Sequence, residues 1–132
     1  MLESIALIAG VASSILSAVG YVKGLNTERK HNISEFFLNI ADTIDSAVLK
    51  FKNGEVPHGA CDMMRRYAME LPAVLDGTMD ANKIQEYSDT LYQAHDIESL
   101  HMAVQKDENA LVELEKTASK FRVAANVIKI SR

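Results

Sequence analysis

The sequence predicts an all-α protein, an antiparallel bundle of four to five helices with a highly apolar helix at its N-terminus. Apolar residues recur in alternating steps of three and four, the spacing that puts side chains on one helix face. No stretch alternates with period two for long enough to make a strand, and no glycine-rich phosphate loop occurs. Turn-forming pairs and prolines fall between the periodic segments, so the connections are short.

Each segment carries its own signature. In the first, the seam is Ile5, Ile8, Ala12, Ile15, Val19 and Val22, ended by Gly24. Ile33, Phe37, Ile40, Ile44, Ala47 and Phe51 form the second, closed by the helix-stop pair Asn53-Gly54. Pro57 suits the first turn of a third helix with the seam Ala60, Met64, Tyr67 and Leu71. Pro72 is expected to end or kink that helix, and Asp76-Gly77 to turn the chain. A fourth segment starts near Asp80 with Ile84, Tyr87, Leu91 and Ala94, then slips phase to Ile97, Leu100 and Val104, which predicts a break around His95-Asp96. In the last, Leu111, Leu114, Ala118, Phe121, Ala125 and Ile128 make an uninterrupted seam. Its acids Asp107, Glu108, Glu113 and Glu115 all precede its bases Lys116, Lys120, Arg122, Lys129 and Arg132, as the helix macrodipole favours.

The whole of 1–132 reads as one domain, with 1–24 as its apolar N-terminal helix and no repeat or linker to divide it. A chain of 132 residues, 48% hydrophobic and 24% charged, buries roughly two thirds of its unfolded surface and needs no disulfide or metal to fold. A net charge of -4 argues against nucleic acid as a partner. The single Cys61 cannot form an internal disulfide, which is compatible with a reducing cytoplasm.

The first segment is the unusual one. From Ser4 to Val22 there is no charged residue. Bundle helices normally keep a polar outer face, and an all-apolar helix belongs to a core or a membrane. Ala6, Gly10, Ser14 and Ala18, four apart, line up as a small-residue ridge that permits close helix packing. As a span the segment is marginal: its strongly apolar residues supply roughly -2.4 to -4.8 kcal/mol of insertion free energy, and its serines and glycines subtract from that. Only Glu3 carries charge before the run, which disfavours a secretory signal despite the small-x-small look of Ala18-Val19-Gly20. Three placements follow: permanently central in the bundle, anchored in a membrane with Lys23, Arg29 and Lys30 on the cytoplasmic side, or stored in the bundle and released to a membrane on activation.

The opening MLESIALIAGVASSILSAV resembles the start of HeLo-type domains and their proposed bacterial counterparts, the Bell domains, in its short acidic or polar cap and its Gly/Ala/Ser-containing apolar helix. The likeness covers these residues and the helical layout. It implies a helical bundle whose N-terminal helix targets membranes in regulated cell death during fungal and bacterial immunity. It would make Leu2, Ile5, Leu7, Ile8, Val11, Ile15 and Leu16 the membrane-contacting positions. Such domains often head larger proteins with nucleotide-binding or repeat regions, whereas this chain stops after one bundle, so a free-standing effector or an adaptor for a separately encoded sensor is expected. The protein is then cytoplasmic, membrane-associated on activation through residues 1–23, and partnered by another protein or by itself.

Chemistry is thinly signalled. Three of the four histidines follow a glutamate by three positions, Glu28-His31, Glu55-His58 and Glu98-His101. Paired motifs of this kind build di-metal sites in four-helix bundles, but here Pro57 interrupts the second and no glutamate stands in the apolar seams of segments two and five. His58 and Cys61, with His95 or His101, are too few for a structural zinc site, and Cys61 reads as a small buried hydrophobe beside Met64. No nucleophile elbow or other catalytic signature is present. No catalytic residue, metal, cofactor or small-molecule substrate is expected. Met63, Met64 and Met69 read as core filling or as an adaptable partner surface. The acids Asp76, Asp80, Glu86, Asp89, Asp96, Glu98, Asp107 and Glu108, against Lys83 and Lys106, form a solvated face or a dock for a basic partner.

Overall fold

The computed structural model describes residues 3–93, 104–105, 107 and 109–132. Among these it contains five helices: α1 (Glu3–Val19), α2 (Thr27–Lys52), α3 (His58–Leu75), α4 (Ala81–Gln93) and α5 (Asn109–Lys129). No strand occurs among the described residues. The expected break at His95-Asp96 and the seam positions Ala94, Ile97 and Leu100 lie outside them.

Local chemistry sets the helix ends. Asn26 caps α2 by accepting the Arg29 N–H at 2.7 Å. Asn53 closes the helix, and Gly54 follows at φ 75, a left-handed conformation that favours glycine. Gly77 does the same after α3 at φ 77, and the Thr78 hydroxyl donates to the Leu75 carbonyl at 2.6 Å. The Arg29 guanidinium reaches across to the carbonyls of Val74 and Asp76, tying the start of α2 to the end of α3.

Pro72 neither ends α3 nor coincides with its end: the helix continues to Leu75. Proline lacks the N–H that residue 72 would donate to the Ala68 carbonyl. Ser88 of α4 supplies the replacement, its hydroxyl donating to Ala68 O at 2.5 Å. The orphaned acceptor is satisfied from outside the helix, so the chain has no hydrogen-bonding reason to stop there.

The centre of the molecule is the α2–α5 pair. Phe37 and Phe121 face each other there, ring centroids 6.2 Å apart, and both are fully buried. Lys52 pairs with Glu115 at 2.9 Å, while Arg122 bridges Asp42 at 2.9 Å and Asp45 at 2.6 Å. Lys30 donates to the Ser131 carbonyl. Residue numbers rise along α2 as they fall along α5, so the two helices run in opposite senses. α2 and α3 do likewise, with Arg29 against Val74, and Phe36 edge-on to Tyr67 at 5.7 Å. The α1–α5 pair departs from the expected antiparallel pattern: Ser13 meets Lys120 and Gly24 meets Arg132, so both helices run in the same sense.

Arg122 is held above its ordinary pKa by its hydrogen bonds to Asp42 first and Asp45 second, against the opposing pull of partial burial. A raised folded value gives stability that is present below the unfolded pKa and lost as pH rises through the folded one. The guanidinium therefore stays charged at all ordinary pH. Being partly solvated, these pairs add little to the buried seams.

Candidate functional site

α1 presents two unlike faces. Inward, Ile5, Ile8, Val11, Ala12, Ile15 and Val19 are each no more than 4% exposed, and Val22 beyond the helix is buried with them. Their partners are α5 and, more lightly, α4. Outward, Ala6, Leu7, Gly10, Ser14 and Ser17 are exposed, with Gly20 and Tyr21 continuing the face past the helix end. α1 is thus an edge helix with one solvent-facing side, and the central position considered for it belongs to α2 and α5. The Lys120 ammonium donates to the Ser13 hydroxyl at 2.8 Å.

The predicted membrane-contacting residues therefore divide. Ile5, Ile8, Val11 and Ile15 are sealed in the core, Leu16 is half-buried, Leu7 is 39% exposed, and Leu2 lies outside the described residues. Of the small-residue ridge, Ala6, Gly10 and Ser14 are exposed and Ala18 is half-buried. A Cβ built on Gly10 meets nothing within 4 Å among the described residues. Ala6, Gly10 and Ser14 line a shallow groove of about 220 Å³ between α1 and α4, opposite Glu86, Tyr87 and Thr90, and among the described residues nothing approaches Gly10 closely. Gly10→Ala is accordingly expected to raise the unfolding free energy by about 0.5–1 kcal/mol, since alanine favours the helix and fits without displacement. Urea denaturation checks it, and a loss of stability would show that the outer face is filled.

No helix among the described residues is long and apolar enough to cross a membrane. The 17 residues of α1 rise about 25 Å, short of the ~30 Å hydrocarbon layer.

The metal-type motifs do not converge. Glu28 and His31 sit on the exposed first turns of α2, and Glu55 and His58 lie in the loop before α3 and at its start. Glu98-His101 and His95 lie outside the described residues. Cys61 is buried, as a small hydrophobe would be, while His58 is exposed. No group of three His, Cys, Asp or Glu able to hold a metal occurs among the described residues. Of the methionines, Met64 is core, Met63 is half-buried and Met69 is exposed, so the run serves packing and surface at once. Asp76, Asp80, Glu86 and Asp89 are all exposed.

One feature escaped sequence reasoning. A groove of about 490 Å³ runs between the N-terminal half of α2 and the C-terminal half of α5, lined by Lys30, His31, Ser34, Glu35, Arg122 and Lys129 among others. Its two walls lie far apart in sequence. The only local hint is that Thr27, His31, Ser34 and Leu38, spaced by four, three and four, form a mostly polar stripe beside the apolar seam of α2.

Comparison with known protein families, curated proteins and solved structures gives no match for this chain.

Proposed function

We propose that this chain is a small helical-bundle effector or adaptor of regulated cell death in bacterial defence, which stores α1 against the bundle and delivers it to a membrane on activation. One observation carries the reading: α1 has no charged residue on any face from Ser4 to Val22, although its outer side faces solvent. A purely structural edge helix gains nothing from that composition, because charge on the outer face is compatible with packing on the inner one. In this reading the bundle is antiparallel between consecutive helices and closed by the same-sense α1–α5 pair, and α1 leaves without parting α2 from α5 or α3.

Physical chemistry sets the terms of release. Exposing Ile5, Ile8, Val11 and Ile15 to water would cost about 1.5–3 kcal/mol for each side chain. Lipid chains are as apolar as the core they leave, so departure becomes feasible where a membrane receives the helix. A helix slightly short of the hydrocarbon layer enters with local thinning at modest cost. The ridge of Ala6, Gly10, Ser14 and Ala18 then packs one released helix against another, making self-association in the membrane the partner reaction.

A second reading, a soluble protein-interaction module with α1 permanently in the core, draws on the seal of its seam, where Ile15 is 0% exposed. Dye release from lipid vesicles separates the two. Purified protein is expected to release dye, and Gly10→Leu, placed where the folded chain has open space, to keep its helicity while losing about tenfold or more in release rate as the ridge is blocked. Lipid-inert wild-type protein would favour the interaction module and turn the search to a basic partner for the acids Asp76, Asp80, Glu86 and Asp89.

A further inference from the structure

The α2–α5 groove gathers cations in a chain whose net charge is -4. The cations are Lys30 from α2 and Arg122 and Lys129 from α5, beside the imidazole of His31 and the acid Glu35. Arg122 is already engaged by Asp42 and Asp45, and Lys30 by the Ser131 carbonyl. Lys129 and His31 have no ion-pair partner among the described residues. The first turns of α2 add the positive end of its dipole.

Ser34 is the decisive residue. It is 6% exposed, it lines the groove, and its hydroxyl has no hydrogen-bond partner among the described residues. Of the other buried residues that carry a hydroxyl, Ser88 donates to Ala68 O, Thr117 donates to Glu113 O and Tyr67 pairs with Thr43 at 3.3 Å, while Tyr87 shares with Ser34 the lack of a partner among the described residues. Buried polar groups are normally paired, so an unpaired one facing a cationic groove points to a ligand that completes it.

We infer that this groove binds a phosphate ester with a hydroxylated alcohol part, the phosphoryl oxygens accepting from Ser34, His31 and Lys129. Several donors on two helices suit a tetrahedral group with several acceptor oxygens, and lysine is a common phosphate partner. Glu35 repels a polyanion and offers an acceptor for a hydroxyl of the alcohol. The volume exceeds that of a lone ion and fits a glycerol phosphate, free or as a lipid headgroup. No residue of α1 lines the groove, so the inference stands apart from the release of α1.

The test uses the full chain with two probes: glycerol 3-phosphate by titration calorimetry, and flotation with phosphatidylcholine vesicles with or without phosphatidylglycerol. Saturable binding to either probe is expected, weakened about fivefold or more by Lys129→Gln and by Ser34→Ala. Lys116→Gln, on the far half of α5 beside Glu113, leaves it unchanged. Ser34→Ala keeps the melting temperature or raises it, because it removes an unpaired buried hydroxyl. Binding to glycerol 3-phosphate alone identifies a soluble ester, and binding to phosphatidylglycerol vesicles alone a headgroup; both support the site. Absence of binding to either probe overturns it, as does equal weakening by Lys116→Gln and Lys129→Gln, or binding unaffected by Ser34→Ala.

Discussion

Phe121→Ala is expected to lower the unfolding free energy by about 3–5 kcal/mol, the cost of removing a buried aromatic ring and leaving a cavity. Phe121 is fully buried and stands opposite Phe37, at the junction of the two longest helices. The space it would vacate is walled by α2, where Phe37 faces it, and by the rest of α5. Against a total of roughly 5–15 kcal/mol for a domain, that loss leaves a large unfolded fraction. Urea denaturation followed by circular dichroism measures it. A loss below ~1 kcal/mol would mean that the α2–α5 seam is not the centre of the fold.

That centre was legible because Leu114, Ala118, Phe121, Ala125 and Ile128 of the predicted α5 seam are all buried, although its first member, Leu111, is half-buried and Ala110, Thr117 and Ala124 are buried beside it. The α2 seam was legible but too narrow. Ala47 of that seam is half-buried while Phe36, Ala41 and Val48 outside it are buried, because α2 meets α5 on one flank and α3 on the other, and a single stripe of periodicity does not reveal a second neighbour. Pro72 was expected to end or kink α3, and the helix continues past it to Leu75. What lets the helix pass it is Ser88, whose hydroxyl arrives from the next helix, and local propensity contains no trace of that bond.

For α1 the sequence announced an exceptional helix without placing it. An uncharged stretch is compatible with a central position and with an edge position whose outer face happens to be small and neutral, and only the packing separates them. Gly10 shows the difference: in a central helix its missing side chain would admit a neighbour, whereas here it is exposed and meets nothing within 4 Å among the described residues. The cationic groove was hidden because His31 and Lys129 become neighbours only when the ends of α2 and α5 meet. The unpaired state of Ser34 exists only in the folded chain.

The largest functional effect is expected from fastening α1 in place. Ser13 and Lys120 are hydrogen-bonded across the α1–α5 contact at 2.8 Å, and both are partly accessible. Ser13→Cys with Lys120→Cys, in a Cys61→Ala background, can be joined by a short bismaleimide whose spacer matches the reach of the lysine it replaces. The bundle stays folded because the link follows an existing contact. Storage without release then leaves the seam of Ile5, Ile8, Val11 and Ile15 shut away from lipid. Release of α1 is the central claim, and the direct measurement is dye release from vesicles by the tethered protein beside the same variant with both cysteines capped singly. Loss of about tenfold or more on tethering, with the capped form still active, is the result predicted if α1 must leave the bundle. Equal dye release from tethered and capped protein would contradict it, and would place any membrane activity on a surface the folded bundle already exposes.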